Sequence, residues 1–351
     1  MQVTIHIGTY KTATSAIQWG LARSSKILGR VGAKYAATGL NVPLSKHLHL
    51  FDHIVDGGYN HDRHLTHKGE DYLAGLRAEL EEPGVSHLLI SEEELSYPTT
   101  TIADYLAPLA DKAAVEVVMV VRRQPEFLES LYLQFLKEPL RQLTDTFEEF
   151  LESRYADYAD FASVLEPWEA AFGRDALTVI DFDELRKGDV VANFADQLGL
   201  PKGLKAPDHV INPSITPAAG ELLRQIASNT PNFPRMALAG MLRQIEPGKG
   251  TSLLTPELHD RILDQYRDSN QRLADGYGVK LDRQQENSRR VVTSEEIEAD
   301  ALAAAAQVIG VMWRRTKRAA NSIQKMSDDQ QTALDNIRGM LRAGDDVSRK
   351  R

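Results

Sequence analysis

The sequence predicts an α/β fold with a mostly parallel central sheet flanked by helices. Residues 3–7 are rich in β-branched side chains and run into a polar turn, after which apolar residues recur at helical spacing from Ala16 onward. Residues 115–121 are almost continuously apolar, as strands in the middle of a parallel sheet are. Because such strands alternate with helical segments along the chain, we expect parallel strands joined by right-handed crossovers.

Composition narrows the class of protein. The 351 residues suffice for one large or two ordinary domains, and the apolar and charged fractions are those of a globular protein. The net charge of −9 argues against nucleic-acid binding, so an anionic ligand would need a local basic pocket. The absence of cysteine excludes disulfides and thiolate catalysis and favours a cytoplasmic location. We expect neither a signal peptide nor a membrane span.

The remaining elements follow from apolar spacing and turn residues. Strands are predicted at 31–35, 87–91, 115–121 and 176–182, and helices at about 14–28, 73–80, 125–135, 147–172 and 263–277. Beyond residue 282 we expect a helix that begins at Ser294, with an apolar part at 301–313, and a second helix at about 328–342. The predicted organisation is an α/β domain over residues 1–282 and a helical extension over residues 283–351.

The turn after the first strand has the chemistry of an anion site. Gly8 permits an unusual backbone at the strand end, and the next helix begins with unpaired N–H groups that carry partial positive charge. An ammonium and three hydroxyl groups join them, from Lys11, Thr12, Thr14 and Ser15. The loop is not a Walker A motif, which is longer and places a glycine directly before its lysine. The alternative is an ordinary strand-to-helix turn with a surface lysine.

A second basic feature follows the predicted central strand. Residues 115–121 end at Arg122, and Ser130 lies eight residues further on, in the next helix. A guanidinium group offers a fork of donors to phosphate oxygens, and a hydroxyl adds one more donor. Arg123, beside it, is expected to face solvent or an acidic neighbour.

Both features resemble sulfotransferases that use 3′-phosphoadenylyl sulfate (PAPS), particularly bacterial ones. Residues 6–18 read HIGTYKTATSAIQ and resemble the family's phosphate loop, with Ala13 in place of its usual glycine. The spacing of Arg122 and Ser130 resembles the family's 3′-phosphate motif. The resemblance continues over residues 158–200 and 263–277, and the tripeptide Asn212-Pro213-Ser214 matches a segment that returns toward the nucleotide. It stops beyond residue 282.

The resemblance implies a P-loop-like sulfotransferase fold, PAPS as co-substrate and no required metal. Lys11 would neutralise charge on the leaving phosphate, while the loop residues hold the 5′-phosphate, namely Thr12, Ala13, Thr14 and Ser15. Residues 91–95, which read SEEEL, resemble a family segment whose glutamate aligns with Glu93. We do not expect all three adjacent carboxylates to face inward, because one raised pKa is easier to arrange than three. A solvated acidic turn is the alternative.

Histidines cluster at residues 45–53. His49 and His53 are four apart and could share a helix face, as zinc ligands can, but no third ligand is evident and we expect no metal. In the resembled family a histidine after the first helix faces the acceptor, and His49 or His47 is the nearest match. A half-buried helical histidine is the alternative. Glu93 is therefore our first choice of general base and His49 the second.

The predicted function is transfer of a sulfuryl group from PAPS to a hydroxyl or amine of a carbohydrate, lipid or small molecule. Two rival hypotheses stay open: an ATP-dependent small-molecule kinase and a noncatalytic nucleotide-binding or assembly protein. We expect the C-terminal helices to mediate homo-oligomerisation. Contact of their basic residues 314–318 with an anionic membrane surface is the less favoured possibility.

Overall fold

A five-stranded parallel sheet forms the centre of the computed structural model, which describes residues 1–55, 71–139, 141–209, 213–230, 233–282 and 289–349, the side chains up to residue 334. The strand order is β2-β3-β1-β4-β5. The strands are β1 Gln2–His6, β2 Ala33–Tyr35, β3 His87–Ser91, β4 Ala114–Val121 and β5 Leu177–Asp181. Two short strands, β6 Thr251–Ser252 and β7 Arg290–Val291, form a separate pair. The predicted α/β fold with a mostly parallel sheet is confirmed.

Helices cover both faces of the sheet. They are α1 Thr14–Arg23, α2 Ser25–Leu28, α3 Leu48–Ile54, α4 Tyr72–Leu80, α5 Thr100–Leu106, α6 Gln124–Lys137, α7 Phe147–Leu151, α8 Phe161–Phe172, α9 Phe182–Leu185, α10 Val190–Gln197, α11 Pro217–Asn229, α12 Arg235–Ile245, α13 Pro256–Gln265, α14 Arg267–Tyr277 and α15 Ser294–Arg349.

Several predicted helices are divided. The predicted helix 14–28 breaks at Ser24, whose N–H group bonds to Leu21 and ends α1. The predicted helix 147–172 is α7 and α8 with a 3-10 turn between them, because Asp160 accepts from the N–H group of Ser163 and caps a new helix. Conversely, the two helices predicted after residue 294 are the single helix α15.

The central strands are apolar because both faces of the sheet are buried. Side chains from alternate positions of β4 enter different cores: Val117 and Met119 pack into the larger core with α6 and α8, while Val118 and Val120 pack with α1 and α10. This two-sided burial explains why residues 115–121 show no polar alternation.

The strand order also determines where three loops meet. β1 lies between β3 and β4, with His6 in register with Ser91 on one side and Val118 on the other. The N–H group of Glu92 donates to the carbonyl of His6 at 3.2 Å. The carboxyl ends of β1, β3 and β4 therefore lie together, and at such an edge open α/β sheets bind their ligands.

The first part of the C-terminal extension packs on the preceding residues. Arg289 contacts the buried carboxylate of Glu129 at 2.6 Å, β7 pairs with β6, and α15 packs on α11 and α12 up to the buried Val308. The division predicted at residue 282 stays a prediction, but the packed body extends to about Val308. Among the residues that the structure describes, no helix combines the length and apolarity that crossing a membrane requires.

Candidate functional site

A cavity of about 460 Å³ opens where β1, β3 and β4 end. Its lining comes from the β1–α1 loop, the segment after β3, the connection between β4 and α6, the end of α6, and residues 206–209 and 213–214. The lining side chains are Tyr10, Lys11, Ala13, Thr14, Ser15, Ala16, Glu93, Arg122, Gln134, Glu138, Ala206, Pro207, Asp208, His209, Pro213 and Ser214. Six of the residues predicted from the sequence thus share one cavity: Lys11, Ala13, Thr14, Ser15, Arg122 and Glu93.

Hydrogen bonds within the β1–α1 loop fix its shape. The hydroxyl of Thr9 donates to the carbonyl of Val120 at 2.7 Å, which ties the loop to β4. The hydroxyls of Thr12 and Thr14 both donate to the carbonyl of Thr9, at 2.7 and 3.0 Å. A hydroxyl has a single proton to donate. Thr12, which is fully buried and outside the cavity lining, therefore shapes the loop instead of offering its hydroxyl proton to a ligand.

The backbone of the β1–α1 loop makes two left-handed turns before α1 begins. Lys11 and Ala13 both have φ of 62°, in the left-handed region that glycine favours. The first hydrogen bonds of α1 run from the N–H groups of Ala16 and Ile17 to the carbonyl of Ala13. The N–H groups of the preceding turn lie outside this ladder, and successive amides in such a turn form a concave anion site.

Lys11 and Arg122 bring two positive charges together at this loop. One Arg122 nitrogen lies 3.4 Å from the carbonyl of Lys11 and 3.2 Å from the hydroxyl of Ser130, so the structure joins the predicted Arg122–Ser130 pair. Burial and the nearby Arg122 lower the pKa of Lys11 to about 8. Burial also lowers the pKa of Arg122. An anion bound between them would stabilise both charges.

Of the three adjacent glutamates after β3, Glu93 lines the cavity, to which Glu138 and Asp208 also contribute, and two side chains hold it. Lys46 lies 3.0 Å from one carboxylate oxygen, and the amide of Gln18 donates to the other at 3.1 Å. Lys46 also contacts Glu92 at 3.2 Å. Neither Lys46 nor Gln18 was a candidate site residue in the sequence, because each is remote from Glu93 along the chain, although Gln18 is the last residue of the resembled loop motif.

The three adjacent glutamates have different environments. Burial raises the pKa of Glu92 to about 8, whereas for Glu93 the ammonium of Lys46 and the hydrogen bond from Gln18 outweigh burial and lower the pKa. Burial also raises the pKa of Glu94, although Arg141 lies 3.5 Å away. All three side chains are buried or half-buried. The expectation that they could not all face inward was wrong, because the fold supplies Lys46 and Arg141 as counter-charges.

Arg141 was also missing from the sequence candidates. It donates to the hydroxyl of Tyr10 at 2.9 Å, and its guanidinium lies 4.1 Å from the ring centroid of Phe135. Tyr10 in turn lines the cavity. Arg141 therefore connects the acidic segment after β3 to the loop after β1.

The two candidate histidines occupy different positions. The N–H group of Ser91 donates to Nδ1 of His47 at 3.1 Å, and Nε2 lies 3.0 Å from the carbonyl of Ala36, so Nε2 carries the proton. Burial lowers the pKa of His47 to about 4. His47 is thus a neutral structural histidine. His49 lies in α3, half-buried and outside the cavity lining, and its role as a base stays a prediction.

Other candidates are placed as follows. Arg123 contacts the acidic Glu126 at 3.7 Å, as one alternative predicted, but it is buried and also bonds to His259 at 2.8 Å. Asn212 lies outside the described residues, whereas the adjacent Pro213 and Ser214 line the cavity. Within the described ranges, no three His, Asp or Glu side chains are grouped closely enough to hold a metal ion.

Lys137, which the sequence did not single out, adds a third cation near the loop. Its ammonium donates to the carbonyl of Pro213 at 3.2 Å. Burial, then repulsion from Lys11 and Arg243, lowers its pKa to about 7. Lys137 is therefore only partly protonated at neutral pH and adds a partial positive charge to the loop side.

Comparisons with known proteins give distant relationships. No protein family model matches the chain. An uncharacterized protein of Archaeoglobus fulgidus is 28% identical over 193 residues, which are 52% of this chain and 50% of that protein. The chain thus spans about half the length of this curated relative. A crystal structure of a sulfotransferase from Alicyclobacillus acidocaldarius matches 68% of this chain and 95% of its own, at 18% identity and a TM-score of 0.40. At this distance the assignment of function depends on the cavity residues.

Proposed function

We propose that the protein is a sulfotransferase that moves the sulfuryl group of PAPS to a hydroxyl or amine of a small-molecule, carbohydrate or lipid acceptor. The observation that carries the proposal is the convergence of Lys11, Arg122 and Glu93 on one cavity, with Ser130 bonded to Arg122. A site for this reaction must bind the two phosphate groups of PAPS and provide one group that accepts a proton. We further propose a cytoplasmic location, which the absence of cysteine favours.

The donors suit a nucleotide with two separate phosphate groups. Lys11, Ser15 and the N–H groups that begin α1 would bind the 5′-phosphate, whereas Arg122 and Ser130 would bind a 3′-phosphate. Thr12 and Thr14 would keep the loop in its left-handed turns through their bonds to Thr9. PAPS would supply the sulfuryl group. Lys11 would stabilise the negative charge that develops on the leaving phosphate oxygen.

Glu93 is our choice of proton acceptor. Its lowered pKa keeps the carboxylate ionised at neutral pH, so one oxygen can accept the proton of an acceptor hydroxyl as the hydroxyl attacks. The bonds to Lys46 and Gln18 fix its position. His49 remains the second hypothesis, although it does not line the cavity.

The decisive experiment compares PAP, the product without the sulfuryl group, with ADP, which has no 3′-phosphate. A site built around that phosphate leaves buried donors unpaired when it is missing. We expect calorimetry to show PAP bound at least about tenfold more tightly than ADP, equivalent to roughly 1.4 kcal/mol. Equal affinities would overturn the proposal and return the ATP-dependent kinase to first place.

A second measurement separates the enzyme from the noncatalytic alternative. Purified protein is incubated with radiolabelled PAPS and panels of phenols, glycans and amines, and PAP release is followed. We expect PAP release that depends on an acceptor and is lost on substitution of Lys11. Tight PAP binding with no transfer to any class of acceptor would favour a nucleotide-binding protein without activity.

A further inference from the structure

The distal part of α15 is a helix without a neighbour among the described residues. Every described side chain from Met312 to Leu334 is exposed, whereas Ala301, Ala304 and Val308 are buried against the body. Most helical stability in proteins comes from packing of an apolar face, and a solitary helix in water is marginal. Within the described ranges, the distal helix therefore has no packed apolar face to stabilise it.

Four of its larger exposed apolar side chains follow a regular spacing, whereas Trp313 and Leu334 lie beside it. Ile309, Met312, Ile323 and Met326 are each more than half exposed, and they are separated by steps of three, eleven and three residues. They belong to a strict seven-residue repeat with alternate steps of three and four. We call this set the seam: Leu302, Ala305, Ile309, Met312, Thr316, Ala319, Ile323, Met326, Gln330 and Ala333. Ala305 is half-buried against the core of its own body, so the continuously exposed part of the seam that can meet a partner begins at Ile309.

A seven-residue repeat is the pattern of coiled coils, in which two or more helices pack along one stripe. It keeps one stripe facing a partner helix as the two wind around each other, and it is stricter than the pattern of a helix packed on a globular core. In the seam the first position of each repeat holds Leu, Ile, Thr, Ile or Gln and the other holds Ala or Met. The Ala and Met side chains at the second position of each repeat are small or flexible, and they allow an identical helix to approach closely.

We propose that the seam binds the seam of a second copy of this chain, in antiparallel orientation. The charges beside the seam favour that orientation. A basic stretch, residues 314–318, precedes an acidic pair, Asp328 and Asp329. Parallel helices would place the two basic stretches side by side, whereas antiparallel helices place each one beside the acidic pair of the other copy.

The antiparallel register follows from matching seam positions. Ala319 packs against Ile323 of the partner subunit, and Met312 packs against Gln330 of the partner subunit. Arg315 and Asp329 are 14 residues apart and occupy the same position beside the seam. In this register Arg315 of each copy faces Asp329 of the other copy, so the ion pair forms twice by symmetry. The dimer joins two bodies through their distal helices and leaves each cavity on its own body.

The first test breaks the seam in the full-length chain. Ile323→Glu with Met326→Glu puts four carboxylates into the dimer interface, whereas the matched control Asn321→Glu with Gln324→Glu adds the same charge outside the seam. We expect wild type and control to sediment as dimers, and the dissociation constant of the seam variant to rise at least about a hundredfold. A monomeric wild type, or equal effects of the two variants, would overturn the proposal.

The second test fixes the orientation, using the absence of native cysteine. Met312→Cys and Gln330→Cys are oxidised separately and as an equimolar mixture. Antiparallel helices give a disulfide only in the mixture. In that orientation each cysteine lies 18 residues along the helix axis from the same cysteine of the other copy, or about 27 Å at about 1.5 Å per residue. Disulfide formation by each variant alone would show parallel helices and overturn the antiparallel assignment.

The third test addresses the basic stretch and the adjacent Trp313, which would also suit an anionic membrane surface. The wild type is floated with vesicles of phosphatidylserine and phosphatidylcholine, and with phosphatidylcholine alone. We expect it to stay dimeric in solution without floating. A protein that floats with the anionic vesicles and is monomeric without them would assign the seam to lipid and overturn the proposal.

Discussion

Buried charges are compensated differently on the two sides of the cavity. On the side of the β1–α1 loop, Lys11 and Arg122 lie together, and burial lowers both pKa values without full compensation from nearby acids. On the side of β3, Lys46 lies between Glu92 and Glu93, and these carboxylates outweigh burial and raise its pKa. The fold therefore balances the charges of the acidic side internally and leaves the basic side in need of an anion.

This difference separates residues that act on a ligand from residues that prepare the site. Positive charge that the protein does not neutralise is available for phosphate, so Lys11 and Arg122 should affect binding and transfer directly. Lys46 is engaged by its carboxylates and should act through Glu93. Substitutions of Lys11, Lys46 and Arg122 test this distinction.

Replacing Lys11 should have the largest effect. Lys11→Ala removes the charge expected to stabilise the leaving phosphate, and loss of one such contact costs about a hundredfold or more in rate. We expect transfer to fall at least about a hundredfold while circular dichroism and thermal unfolding stay close to wild type. The measurement is the single-turnover rate with saturating PAPS, and wild-type turnover would remove Lys11 from the mechanism.

Replacing Lys46 should change the pH dependence of the reaction. Lys46 lowers the pKa of Glu93, so Lys46→Met should raise that pKa and shift the acidic limb of kcat against pH upward. The other titratable groups near Glu93 are Glu92, Glu94, His6 and Tyr35, and these remain.

We expect about a tenfold to hundredfold loss of kcat at pH 6, smaller at pH 8, with PAP affinity hardly changed, because removal of a supporting group typically has effects of this size. Lys46→Arg should restore part of the activity. An unshifted profile in Lys46→Met would mean that Lys46 has only a structural role.

Replacing Arg122 should affect one phosphate selectively. Arg122→Ala should weaken PAP binding about tenfold and hardly change ADP binding, because only PAP carries the 3′-phosphate. Arg186→Ala is the matched control: it removes the same charge nearby from an exposed arginine that pairs with Asp183 at 2.9 Å. Equal losses for PAP and ADP in Arg122→Ala would contradict the assigned role.

Replacing Ala13 should have the smallest effect, on stability. Ala13→Gly relieves a left-handed residue that carries a methyl group, and we expect the free energy of unfolding to rise by about 1 kcal/mol. The control Ala16→Gly, in the first turn of α1, should lower it by roughly 0.5–1 kcal/mol. Urea unfolding measures the free energy of unfolding of both variants. A lower value for Ala13→Gly than for the wild type would show that the methyl group of Ala13 does not strain the loop.

The strands and the basic side of the site were predictable because their signals are local. The buried strand 115–121, the loop from Gly8 to Ser15 and the pair Arg122–Ser130 can each be recognised within a short stretch of sequence. The parallel sheet then places the ends of β1 and β4 together, since the two strands are neighbours.

The acidic side was less predictable because its partners are distant in sequence. Lys46 reaches Glu93 because β2 pairs with β3 and the segment after β2 meets the end of β3, where the N–H group of His47 donates to the carbonyl of Ser91. The hydroxyl of Thr12 was expected to bind phosphate, but no sequence pattern shows that it bonds within its own loop. Helix breaks such as the one at Ser24 likewise depend on local capping that apolar spacing does not encode.

The lowered pKa of Lys11 makes this residue chemically distinct from ordinary lysines. At about pH 8 half of its amino groups are neutral nucleophiles, whereas an unperturbed lysine stays protonated up to about pH 10.4. A mild acylating reagent at that pH would therefore modify Lys11 ahead of the surface lysines, whereas Lys137, whose pKa is also lowered, is buried from the reagent. A nucleotide phosphate would raise the pKa and cover the amine, so protection from labelling, read by mass spectrometry of the tryptic peptides, would report occupancy of the cavity without any knowledge of the acceptor.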